Sequence, residues 1–168
     1  MFIIPDGTET IEYSTITDKT KSFIYIPDSV EQILTGAFAG CHNLISINIP
    51  NSARITGTGE DVFENCFNLR SVCIPNGVMP YAIGRYCFKN CKSLKCIDLP
   101  EDIYEIRDNS FENCESLMEI TIPNSVSYIG TDVFSGCTQL KTITIENSQG
   151  SISGAPWGAP NATVIWTG

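Results

Sequence analysis

The chain has 168 residues and a mass of 18.4 kDa, enough for one ordinary domain and short for two. Apolar residues make up 42% and charged residues 17%, and the apolar runs are broken every few residues by Asn, Ser, Thr, Gly or Pro. That composition excludes a disordered chain, and that punctuation excludes a transmembrane helix. Ten basic residues against nineteen acidic give a net charge of −9, and no Lys or Arg run offers a phosphate footprint, which argues against a nucleic-acid partner.

The N-terminal segment Met1-Phe2-Ile3-Ile4-Pro5-Asp6 has no basic region and only a short apolar run before its proline, so it does not read as a signal peptide. Phe2-Ile3-Ile4-Pro5 matches the end of a strand whose upstream leucine is missing. Residues 1–25 are therefore expected to form an incomplete or degenerate repeat, and the chain to be a segment of a longer array, either cytosolic or cut from a secreted protein.

From Ile26 onward an internal period organises everything. The prolines Pro5, Pro27, Pro50, Pro75, Pro100 and Pro123 lie 22, 23, 25, 25 and 23 residues apart. Three further ladders keep step: Phe38, Phe63, Phe88, Phe111 and Phe134; then Cys41, Cys66, Cys91, Cys114 and Cys137; then Leu44, Leu69, Leu94, Leu117 and Leu140. In Leu44-Ile45-Ser46-Ile47-Asn48-Ile49, Ile47 and Ile49 alternate with Ser46 and Asn48, the period-two signature of a short strand. The proline that follows lacks an N–H and ends the pairing. One such strand cannot bury its apolar face alone, so successive units must stack into a parallel sheet with a continuous core. The Phe-x-x-Cys-x-x-Leu segment has helical spacing, and a turn or two of helix is expected there on the convex side.

Two units depart from the pattern. Pro to Phe is 11 residues in three units and 13 in those starting at Pro50 and Pro75, which places the extra residues around Gly57-Thr58-Gly59 and Met79-Pro80-Tyr81. Bulged connections tolerated by drift are the simpler account, and a binding loop the alternative. Five repeats thus span 26–145. Residues 146–168 lose the proline, gather Ser, Gly, Ala and Pro around Trp157, and end in the alternating Val164-Ile165-Trp166. They are expected to cap the open end of the stack, with both tryptophans as packing.

The unit I-P-x-x-V-x-x-I-x-x-x-x-F-x-x-C-x-x-L-x-x-I-x-I-P, seen for instance in Ile122-Pro123-Asn124-Ser125-Val126-Ser127-Tyr128-Ile129-Gly130 followed by Phe134-Ser135-Gly136-Cys137, resembles the BspA-like subfamily of leucine-rich repeats found in bacterial and protist surface proteins. That resemblance implies an α/β leucine-rich-repeat solenoid, right-handed like other parallel crossovers, with a parallel sheet on the concave face and short helical turns on the convex face. It also implies a protein ligand before a glycan.

Eight cysteines invite a disulfide framework, but the ladder argues otherwise. Thiols stacked rung above rung point the same way, whereas a disulfide needs facing Cβ vectors. The five ladder cysteines and Cys87 read as small buried hydrophobes. Cys73 and Cys96 fall on outward strand positions of neighbouring units, where surface thiols or a strained disulfide are open alternatives. With Asp98 and Glu119 nearby they form the best metal candidate, but without Cys-x-x-Cys or His spacing no metal is expected. His42, the one histidine, reads as a solvated turn residue, and no glycine-rich phosphate loop or paired carboxylate carries a second signal. Catalysis and cofactors are not expected. Asn161-Ala162-Thr163 fits a glycosylation sequon.

The outward strand positions are Phe23 and Tyr25, Ser46 and Asn48, Ser71 and Cys73, Cys96 and Asp98, Glu119 and Thr121, Thr142 and Thr144. Aromatics gather at one end and acids in the middle. Phe23, Tyr25, Asn48, Asp98 and Glu119 are therefore the candidate partner-binding residues of an adhesin-like or host-interaction module of a cell-surface protein; for Phe23 and Tyr25 the competing reading is packing against a preceding repeat of a longer chain. A spacer domain in a larger fibre or phage-tail-like assembly is the alternative.

Overall fold

The computed structural model describes residues 1–56, 59–79 and 81–168; the part of the insertion reading that rests on Gly57, Thr58 and Pro80 lies outside the described residues. Among the described residues thirteen short strands follow one another: β1 (Phe2–Ile3), β2 (Thr10–Ile11), β3 (Phe23–Tyr25), β4 (Gln32–Ile33), β5 (Ser46–Asn48), β6 (Arg54–Ile55), β7 (Ser71–Cys73), β8 (Ala82–Ile83), β9 (Glu105–Ile106), β10 (Glu119–Ile122), β11 (Tyr128–Ile129), β12 (Thr142–Ile145) and β13 (Thr163–Trp166). Each recorded pairing is parallel and joins a strand to its counterpart in the next unit.

Two columns of strands result. The column ahead of the prolines runs β1-β3-β5-β7 and then β10-β12-β13; the column after them runs β2-β4-β6 and then β8-β9-β11. Both interruptions coincide with the 25-residue units. In the first column, residues 95–100 keep the strand's alternating burial, with Cys96 and Asp98 exposed and Ile97 and Leu99 buried, yet form no ladder. The flanking bonds are long, 3.4 Å from Lys95 N–H to Arg70 O and 3.5 Å from Met118 N–H to Lys95 O.

The core follows the ladders. All five phenylalanines are fully buried and stack ring on ring, with centroids 5.2–5.8 Å apart and planes within 21°. Each Phe N–H donates to the carbonyl of the residue preceding the next rung's Phe, as Phe38 does to Val62 O at 2.9 Å. Phe134 donates instead to Trp157 O, so the buried Trp157 stands where a sixth rung would continue, and β13 pairs with β12 beyond it.

The helical turns expected on the convex side are not there: no helix is found among the described residues, and the Phe-x-x-Cys-x-x-Leu segments are chains of turns. The reason lies in the backbone. Two residues before each Phe (Gly36, Asp61, Tyr86, Asn109, Asp132) and two after it (Gly40, Asn65, Asn90, Asn113, Gly136) φ is positive, between 52° and 76°. A left-handed residue on either side of the Phe stops helix propagation, and glycine, Asn and Asp bear that conformation at least cost. The three asparagines use their side chains to climb the stack: Asn90 Nδ2 donates to Asn65 Oδ1 at 2.7 Å, and Asn113 Nδ2 to Asn90 Oδ1 at 2.9 Å. Glycine ends this ladder at 136 because any Cβ there would collide with Asn113 Oδ1.

The cysteine ladder has a role beyond filling space. Four of the five ladder thiols donate to the carbonyl of the Phe one rung below: Cys66 to Phe38, Cys91 to Phe63, Cys114 to Phe88 and Cys137 to Phe111, all at 3.1–3.3 Å. Removal from water pushes the thiols up, Cys41 to about 11 and Cys137 to about 12, and holds Cys66, Cys87, Cys91 and Cys114 well above the ordinary thiol value. All eight cysteines are free.

Candidate functional site: the outward face of the longer sheet

Alternation decides which side chains reach this face. Along β3, Ile24 is buried and its neighbours Phe23 and Tyr25 turn outward, exposed by 48% and 51%. Parallel register then stacks equivalent positions into two files. Ile3 pairs with Tyr25 and Asn48 with Cys73, while Phe23 pairs with Ser46 and Ser46 with Ser71. Asp98 continues the Tyr25 file by its position two before a proline, and Glu119 the Phe23 file by its position four before one.

The face is hollowed rather than flat. Phe23, Tyr25, Ser46, Asn48, Cys73 and Asp98 contribute to one groove of about 620 Å³. Asp98 also borders an adjoining groove of about 390 Å³, with Cys96, Glu101, Glu119, Thr121 and Thr144. All five candidate residues border these two neighbouring grooves, which share Asp98 and together make up a trough on this face: Phe23, Tyr25 and Asn48 in the first, Glu119 in the second and Asp98 in both. Cys73 and Cys96 are exposed in the same trough with free thiols.

Sequence reasoning missed two contributors. Met1 and Ile3, exposed by 71% and 60%, extend the apolar end, so that four large apolar side chains cover two adjacent rungs. The signal for Ile3 was available: it stands two residues before Pro5, the outward position in every later unit. The trough carries no lysine, arginine or histidine among its described lining residues. His42 sits elsewhere, exposed on a turn, stacked on Phe67 at 5.0 Å with Nδ1 3.1 Å from Asn65 O.

The repeat geometry is matched by sequence comparison. The model of the BspA type leucine-rich repeat region fits in six copies, over residues 9–81 and 56–155. The chain belongs to the BspA-type leucine-rich repeat family. Such repeats serve in general as protein-interaction modules. A leucine-rich cell surface protein from Faecalibacterium prausnitzii A2-165 is 37% identical, with a TM-score of 0.70 over 78% of this chain. The match covers 34% of that protein, so the chain spans about a third of its length. The leucine-rich repeat protein of T. pallidum is 26% identical with a TM-score of 0.73, covering 88% of this chain and 70% of that one. A leucine-rich repeat protein from Eubacterium ventriosum, 20% identical over 94% of this chain and 46% of its own with a TM-score of 0.68, shares the fold. No curated protein matches the sequence. No helix among the described residues is long and apolar enough to cross a membrane.

Proposed function

We propose that the trough on the longer sheet is a protein-binding surface, and that the domain is an adhesive or host-contacting part of a cell-surface protein. The observation that carries this is the exposure of Met1, Ile3, Phe23 and Tyr25 together on two rungs of a rigid sheet. Large side chains held by strand geometry lose little entropy on binding, and contiguous exposed apolar area of this kind marks interaction sites. Aliphatic Met1 and Ile3 beside the two rings favour a protein over a glycan. In this reading residues 26–145 present the face, residues 1–25 contribute its apolar end, and 146–168 close the opposite end of the core. The surface location is supported by the Faecalibacterium relative, itself a cell surface protein.

The test is adhesion of the immobilised domain to intact target cells, wild type against Phe23→Ser combined with Tyr25→Ala. The double variant should lose adhesion while its melting temperature stays within a few degrees, since outward substitutions change stability by about 0.5 kcal/mol or less each. Undiminished adhesion in the folded variant refutes the site, and absence of adhesion by the wild type leaves the spacer role.

A further inference from the structure

The trough has a second property, its polarity of charge. Going up the stack from Tyr25, the outward file passes Asn48 and Cys73 and reaches Asp98, while Glu119 stands one rung beyond in the neighbouring file and Glu101 just past Pro100. The acids are concentrated where the ladder is interrupted, at residues 95–100, and no basic side chain enters either groove among the described residues. The nearest cations, Arg70, Lys95 and Lys141, are exposed at the entry side of the strands, one position before the first outward residue. The carboxylates of Asp98 and Glu101 sit toward the other edge. A low-dielectric trough lined by one sign of charge attracts and orients the opposite sign.

Resting on the binding role proposed above, we infer that the partner element is a cationic segment of a protein, extended along the stack and across the strands. Its apolar anchor lies on Tyr25 and Phe23, and its arginine or lysine residues reach Asp98 and Glu119. Spacing makes this specific. Rungs are about 4.8 Å apart, so Asp98 lies about 14 Å and Glu119 about 19 Å from the Tyr25 rung, and an extended chain covers about 3.3 Å per residue. The anchor and the cations must then be about four to six residues apart. The flanking Arg70, Lys95 and Lys141 repel a basic segment that enters from the strand-start side and confine it to the acidic edge.

The experiment uses a dye-labelled synthetic peptide, Leu-Tyr-Ser-Gly-Ser-Gly-Arg-Arg, and its counterpart ending in Glu-Glu, titrated with the domain and read by fluorescence anisotropy. The arginine peptide should bind, should weaken severalfold between about 50 and about 300 mM salt as the Debye length shortens, and should outcompete the glutamate peptide. Asp98→Asn with Glu119→Gln should reduce its affinity about four- to twenty-five-fold, from about two- to fivefold per exposed pair, and flatten the salt dependence. Glu115→Gln, which removes a carboxylate outside the trough, should do neither. Equal binding of the two peptides, no binding of the arginine peptide, or full affinity and salt dependence in the Asp98→Asn, Glu119→Gln protein would each overturn the inference. The two readings fail separately. If Phe23→Ser with Tyr25→Ala abolishes cell adhesion while the acid variants bind and adhere as wild type, the protein-binding face stands and its cationic partner does not. If the aromatic variant keeps adhesion and peptide affinity alike, the face itself is wrongly placed.

Discussion

Truncating one ring in the middle of the aromatic column tests the core most directly. Phe111 is fully buried between Phe88, at 5.2 Å, and Phe134, at 5.8 Å. Phe111→Ala removes the ring's transfer free energy and leaves a void that flanking rungs, tied by Phe N–H bonds on both sides, cannot close; the expected cost is about 3–5 kcal/mol. Of that, two stacked contacts account for about 1–3 kcal/mol at about 0.5–1.5 each. Phe38 has one ring neighbour among the described residues, Phe63 at 5.3 Å, so Phe38→Ala should cost about 0.5–1.5 kcal/mol less. Thr144→Ala, on the outward face, should stay within about 0.5 kcal/mol. Urea unfolding of each variant, followed by far-ultraviolet circular dichroism and by tryptophan emission, measures the differences. Trp157 and Trp166 report the C-terminal end, so coincidence of the two probes shows whether the array unfolds as one unit. A loss below about 1 kcal/mol at Phe111, or a larger loss at Phe38 than at Phe111, would refute the idea that the column is a mutually supporting stack.

The thiols offer a second set of outcomes. A thiol reagent at neutral pH should modify Cys73 and Cys96 quickly in the folded protein and reach the six buried cysteines only after unfolding; rapid reaction of all eight would mean the ladder is open. Because burial raises the folded pKa of the ladder thiols above the ordinary value of 9.0, their contribution to stability is complete below about pH 9 and falls as pH rises toward the folded values. Each such thiol then removes about 1.4 kcal/mol per pH unit. The urea midpoint should therefore drop steeply above pH 9, less so in Cys114→Ala; a flat profile to pH 11 contradicts the burial. Ser110 is fully buried with a hydroxyl that meets no partner among the described residues, so Ser110→Ala should raise stability by about 1 kcal/mol in the same urea assay. Gly136→Ala should lower it by more than about 1 kcal/mol, through its positive φ and the collision with Asn113, and less in an Asn113→Ala background.

Much of the molecule was legible in the order of its residues because each unit repeats the same solution. Alternation around Ile47 and Ile49 places the strands and their inside, the prolines mark where pairing stops, and the Phe, Cys and Leu ladders name the core. The left-handed turns were legible too and were overlooked: Gly40, Asn65, Asn90, Asn113 and Gly136 occupy one column, and glycine alternating with asparagine is the mark of positive φ. Taking the Phe-x-x-Cys-x-x-Leu segment around that column for helical spacing is an error of period, since three-residue intervals suit successive turns as well as a helix.

What the sequence by itself determined is what a single unit determines: which side chains face inward, where each rung ends, and that rungs must stack to hide their faces. What only the tertiary structure decided is what depends on the offset between rungs. Cys66 was readable as a small hydrophobe, but its bond to Phe38 O, 28 residues away, exists only once the stack sets the distance. The interruption at residues 95–100 and the joining of Asp98 to both grooves are of the same kind. Side-chain direction is a local property of an extended backbone, whereas groove shape and the meeting of charges are sums over neighbouring rungs, and small differences in loop length move those sums without leaving a mark in any one unit.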